Sequence, residues 1–132
     1  MNTLIMVRGK IVDEVRFLVD TGAYETIMSE KDANRLRIDY STLPKREEGL
    51  LGIGGITESY LLKGITIFFP IEDGNFLGWE INLPVMKYQF KDKEIEKRIK
   101  WIPSLLGRNF LNKFTLIVNK QKGIVLITDE EL

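Results

Sequence analysis

Nearly every apolar run in this chain is short and stops at a glycine or a polar turn. Runs such as Leu4–Val7, Val15–Val19 and Ile65–Ile71 have the length of a strand and fall short of most helices. Gly9, Gly52 to Gly55 and Gly123 sit where hairpins would turn. The pattern predicts a mainly β chain. Leu4–Val7 and Lys10–Val12 flank Gly9 as one hairpin, and Leu50–Leu62 is a strand–turn–strand around Gly52-Ile53-Gly54-Gly55. Ile65–Ile71 and Trp79–Val85 read as further strands, with Phe114–Val118 and Ile124–Ile127 as the last two.

Helical signals are few. Ser29 is placed to cap a short helix running to about Leu36, with Asp32 three residues on as the capping acid. In Phe90–Lys100, charged residues surround Ile95 and Ile99 at helical spacing, which predicts a solvated surface helix. With 132 residues and no internal repeat, the whole of 1–132 reads as a single domain. A chain of that length buries roughly two-thirds of its unfolded surface, so it needs no disulfide or metal staple.

Composition removes several chemistries. There is no histidine and no cysteine, which excludes Ser-His-Asp and Cys-His nucleophiles and zinc sites built from those ligands. Nineteen basic and nineteen acidic residues balance, so neither nucleic acid nor an anionic membrane is an expected partner. Arg8 interrupts the apolar start at a length too short for a signal or a membrane span. The absence of cysteine suits a reducing compartment, and a cytoplasmic protein is expected. No cofactor and no metal is expected: Glu47-Glu48 and Asp129-Glu130-Glu131 read as solvated surface. Serines and lysines are present, but no spacing singles out a Ser-Lys pair.

Three segments stand out. Phe17-Leu18-Val19 is apolar on both faces, the mark of a buried strand, and it stops abruptly at Asp20-Thr21-Gly22-Ala23. Asp-Thr-Gly is a common turn tripeptide. It is also what a catalytic carboxylate needs: a rigid strand end, a hydroxyl to brace the loop, and a glycine for close backbone approach. Leu51-Gly52-Ile53-Gly54-Gly55-Ile56 serves as a plain hairpin tip or as a mobile cover. It departs from the dinucleotide fingerprint and lacks the Lys-Ser or Lys-Thr of a phosphate loop. Leu105 to Leu111 is apolar but for Gly107-Arg108-Asn109, where a buried arginine would need a partner, Asn109 would cap a short helix, or the segment is a plain helix start with an exposed arginine.

In this order the three segments resemble the retropepsins, the family of retroviral and retrotransposon proteases and their cellular relatives. Val7-Arg8-Gly9-Lys10 resembles the hairpin before the active-site loop, and Ile27 and Ser29 the lead into the next element. The resemblance implies a closed acid-protease barrel with one or two short helices, and a homodimer that cleaves polypeptides. Asp20 would be the catalytic carboxylate, one from each subunit. Thr21 would make the contact between the two loops, Gly22 would shape the loop, and Ala23 completes the motif. Gly52, Ile53, Gly54 and Gly55 would form the flap. Gly107, Arg108 and Asn109 would be structural. A single Asp-Thr-Gly and a chain too short for two lobes agree with half a site per chain. The segment between flap and Gly107 is longer than in the compact viral enzymes, and the acidic end after Ile127 would resist close packing of two copies. A non-catalytic dimerisation or peptide-binding module with the same loop is the alternative.

Overall fold

The structure is a computed structural model. It describes residues 2–7, 10–46, 50–52, 55–71, 74–89 and 92–128, with backbone alone for 2–7, 10–12, 50–52 and 55–56. Eight strands and three short helices are present among these residues. Strand β1 (Asn2–Val7) pairs antiparallel with β2 (Lys10–Val19), with Val7 opposite Lys10. This is the expected hairpin, although Arg8 and Gly9 at its tip lie outside the described residues. Strand β3 (Leu50–Gly52) pairs antiparallel with the start of β4 (Gly55–Pro70), and β5 (Phe76–Tyr88) runs antiparallel along the other edge of β4.

The strands expected at 55–62 and 65–71 form one element. The register of β4 against β5 shifts between Leu62 and Ile65, where one extra residue is absorbed as a bulge. Gly64, at φ 67°, takes the left-handed backbone that lets the ladder continue, and its N–H donates to Asn82 Oδ1 at 3.2 Å.

The six-stranded sheet has the order β3-β4-β1-β2-β6, with β5 branching from β4. Strand β6 (Ser104–Leu106) is its short parallel end, and β7 (Thr115–Asn119) and β8 (Ile124–Thr128) form a separate hairpin. Gly123, at φ 63°, lies between those two strands. The described hydrogen bonds do not close the sheet into a ring. The mainly β expectation therefore stands, while the closed barrel has no counterpart in the described pairing. The expected one or two helices are three, α1 (Glu30–Arg35), α2 (Lys93–Ile99) and α3 (Arg108–Leu111), plus a 3-10 turn at Tyr40–Thr42.

The extra elements have local causes. Asp39 accepts from Ser41 N and caps the 3-10 turn. The Ser41 hydroxyl, which donates to Asp39 Oδ1 at 2.6 Å, and then the Ser41 N–H hold the Asp39 carboxyl below the usual range. Ser29 Oγ accepts from Asp32 N at the start of α1, the cap expected from sequence. Asp92 caps α2 through Ile95 N at 2.8 Å. Helix α2 buries Ile99 against Met86 and Tyr88 and leaves its charged residues in water. The main core joins Val15 and Phe17 of β2, Ile65, Ile67 and Phe69 of β4, Leu83 and Val85 of β5, and Leu106, Phe110 and Ile127. Phe110 stacks on Phe69 at 4.1 Å between ring centroids, which fastens α3 to the large sheet.

Candidate active site

Asp20 follows the last residue of β2. Its position depends on β6, which lies between two limbs of the same stretch of chain. On one side β6 runs parallel to β2, with Phe17, Leu18 and Val19 opposite Ser104, Leu105 and Leu106. On the other side Leu105 exchanges both backbone hydrogen bonds with Ile27, at 2.9 Å each. The Asp20 loop is the connection that passes from one limb to the other around the end of β6. Its lead-in is buried on one face only: Val15 and Phe17 are fully enclosed, whereas Leu18 faces solvent, so the strand expected to be buried on both faces is not.

Within the loop, Asp20 N donates to Leu106 O at 3.0 Å, and Ala23 N to Asp20 O at 3.2 Å. Gly22 N donates to Asp20 Oδ1 at 2.9 Å, which orients the carboxylate. A Cβ on Gly22 would sit 3.1 Å from that same oxygen, so glycine permits the close approach. Thr21 and Gly22 are exposed, and Asp20 and Ala23 are half-buried.

Helix α3 pins the loop from behind. Arg108 N donates to Ala23 O and Asn109 N to Tyr24 O, each at 2.8 Å. These are first-turn N–H groups that a helix cannot satisfy internally. The buried Thr26 hydroxyl donates to Asn109 Oδ1 at 2.8 Å and accepts from Gly107 N at 3.0 Å. Thr26 N also donates to Asn109 Oδ1, at 3.1 Å. At the other end of β6, Ser104 Oγ donates to Asp32 Oδ2 at 2.6 Å and accepts from Ser29 N at 2.9 Å. Both ends of the inserted strand are thus tied by buried hydroxyls.

The structure gathers Asp20, Gly22, Ala23, Gly107 and Asn109 into one hydrogen-bonded unit, with Thr21 exposed at its apex. Asn109 does not cap the helix, since Gly107 holds that position. Arg108 is exposed rather than buried, and its guanidinium lies 5.8 Å from the centroid of the Tyr24 ring. Gly52 and Gly55 pair at the end of the β3–β4 ladder, outside this unit, and Ile53 and Gly54 lie outside the described residues. Sequence reasoning did not single out Thr26, because a lone threonine before an apolar residue carries no local signal. It also missed the Glu25–Arg46 pair beside it, whose two nitrogen–oxygen contacts are 2.9 and 3.1 Å. No group of three or more potential metal-ligating side chains occurs among the described residues.

Replacing Thr26 by valine keeps the shape of the side chain and removes both hydroxyl bonds. The buried Gly107 N–H then loses its acceptor, a loss worth about 2 kcal/mol. Thermal melting is expected to fall accordingly for Thr26→Val and to be largely retained for Thr26→Ser.

The sequence model of a family described as "gag-polyprotein putative aspartyl protease" matches residues 7–63, the stretch that carries Asp20 and the β3–β4 hairpin. No curated protein matches the chain. Among solved structures, the chain is similar to a retropepsin-like aspartic protease from Rickettsia conorii at a TM-score of 0.53 and 22% sequence identity. That match covers 96% of this chain and 88% of the other, so the likeness extends through α3 and into the last hairpin.

Proposed function

The chain being retropepsin-like in sequence and fold, we propose that two copies assemble into an aspartic endopeptidase with one Asp20 from each. The observation that carries this reading is the loop itself. One carboxylate is oriented by Gly22 N in a loop sewn to β6 and α3, while the Thr21–Gly22 edge stays open to solvent. Apolar surface flanks it: Leu18 is 54% exposed and Tyr24 65%. A second subunit would cover surface of this kind.

In such a dimer the two carboxylates share one proton, because like charges that close do not both ionise. The ionised member takes a proton from water, the water oxygen attacks the peptide carbonyl, and the protonated member donates to the carbonyl oxygen. Collapse of the tetrahedral species then breaks the C–N bond as the amine leaves with a proton. Thr21 of each loop would bridge the two subunits, and Gly22 would present backbone to the substrate. Gly52 to Gly55 would cover the cleft.

Three measurements test this. Activity on a denatured protein substrate should rise faster than linearly with protein concentration until the dimer saturates, and an aspartic-protease inhibitor should abolish it. The pH profile follows from the shared proton. At low pH both carboxylates are protonated and no base remains; as pH rises the shared proton is lost, and the acid goes with it. The rate is therefore expected to peak on the acidic side and to fall as pH rises. A stable dimer that cleaves nothing at any pH identifies the non-catalytic module instead.

A further inference from the structure

The loop that carries Asp20 and the hairpin expected to cover it are far apart in sequence, yet one ion pair joins them. Glu25 lies between Ala23, whose carbonyl is held by α3, and Thr26, whose hydroxyl is buried between Gly107 and Asn109. Its backbone is therefore fixed. Arg46 lies on the segment that leads into β3. Its N–H donates to Ser59 O at 2.7 Å, and Lys45 bridges to Tyr60, so this segment runs antiparallel beside β4 at the base of the hairpin. Arg46 Nη1 reaches Glu25 Oε2 at 3.1 Å and Nη2 reaches Oε1 at 2.9 Å. This is a two-pronged fork with fixed geometry.

The pair is only partly exposed, 22% for Arg46 and 31% for Glu25, so water screens it less than it screens a surface pair. The neighbouring Lys45–Glu58 pair spans residues of the hairpin base alone. Of the two, only the Glu25–Arg46 pair crosses from hairpin base to Asp20 loop. Strand β3 is paired along one edge of the start of β4. A two-pronged contact beside the start of this ladder thus bears on where β3 and the start of β4 lie relative to the Asp20 loop.

We propose that Glu25 and Arg46 are positioning residues: their ion pair fixes the β3–β4 hairpin relative to the Asp20 loop and so sets the affinity for the peptide held between them. The inference rests on the peptidase reading above. Neither residue touches the reacting atoms. Breaking the pair lowers the fraction of molecules whose hairpin is placed for substrate, and apparent affinity falls by that fraction. The bond chemistry in the remaining fraction is unchanged.

The experiment compares wild type, Glu25→Gln, Arg46→Met and the double variant on one fluorogenic peptide that spans a wild-type cleavage site. Concentrations are set by active-site titration, and melting curves confirm the fold. KM is expected to rise about fivefold in each single variant with kcat within about twofold, and the double variant to be no worse than either single. Arg46→Lys keeps the charge and loses the fork, and should fall in between. A wild-type KM in the singles, or effects that add in the double, overturns the tie while the peptidase stands. A titrated kcat that falls with an unchanged KM also overturns it, because the pair would then act on the carboxylate itself. Absence of any cleavage by the wild-type dimer overturns the peptidase reading and the tie with it.

Discussion

Asp20→Asn is expected to lower kcat by at least about 1,000-fold while leaving the fold intact, because it removes the chemistry and little else. Asparagine is nearly the same shape as aspartate and keeps an Oδ1 acceptor for Gly22 N, the bond that orients the side chain at 2.9 Å. Melting should move by no more than about 0.5 kcal/mol. The variant removes the single negative charge of the proton-sharing pair from the centre of the proposed interface and should leave the dimer as tight as before or tighter. A stronger form of the experiment mixes subunits. A heterodimer of wild type with Asp20→Asn has one ionisable group where two are needed. In an equal, fully exchanged mixture only about a quarter of the two-fold dimers keep both aspartates, so activity should fall to about a quarter of the undiluted value. A fall to one half means that each chain works alone, and full activity in the pure variant removes Asp20 from the mechanism altogether.

How much of this could be read from the sequence depends on the distance over which each feature is determined. The β character was legible because apolar runs and their glycine breaks are local. Asp20 was legible because an apolar run that stops at an ionisable residue is conspicuous, even though only one face of that strand is buried. The bulge at Gly64 was not: a glycine inside an apolar stretch reads as an ending, and only the pairing of β4 with β5 shows that the strand continues through it. Insertion of β6 beside β2 was hidden for the same reason. Three residues of strand carry almost no signal, and their partners are fixed by the fold. Thr26 and Asn109 lie 83 residues apart, and although Asn109 stands out in an apolar stretch, nothing local marks Thr26 as its partner. Arg108 could be read two ways, as a buried charge among apolar neighbours or as an exposed arginine at a helix start, and the second holds: it opens a four-residue helix and lies exposed near Tyr24.

Gly107 could be read as a glycine in a motif, but not for its reason, and the reason makes the second prediction large. Its backbone, at φ −96° and ψ −178°, suits any residue, so the need for glycine is not conformational. It is steric. A Cβ there would lie 2.4 Å from Glu25 O, 2.5 Å from Glu25 C and 2.8 Å from Tyr24 O. All three are backbone atoms, and none can swing aside. The loop that owns them is held by Arg108 N on Ala23 O, Asn109 N on Tyr24 O and Thr26 N on Asn109 Oδ1. Making room for one methyl group means lifting the loop off α3 and losing several of those bonds together. Gly107→Ala is therefore expected to cost about 3 kcal/mol or more, at or above the upper end of ordinary overpacking. For a domain of this size that lowers the melting temperature by roughly 10 °C or more. Gly123→Ala is the contrast: its φ of 63° strains alanine, but no atom lies within 4 Å of the added Cβ, so about 1 kcal/mol is expected. The two variants separate steric need from conformational need. If Gly107→Ala melts with the wild type, the loop is not packed against α3 as described. If it melts early, and the fraction still folded binds inhibitor poorly, the same contact that holds the fold together also holds Asp20 in place.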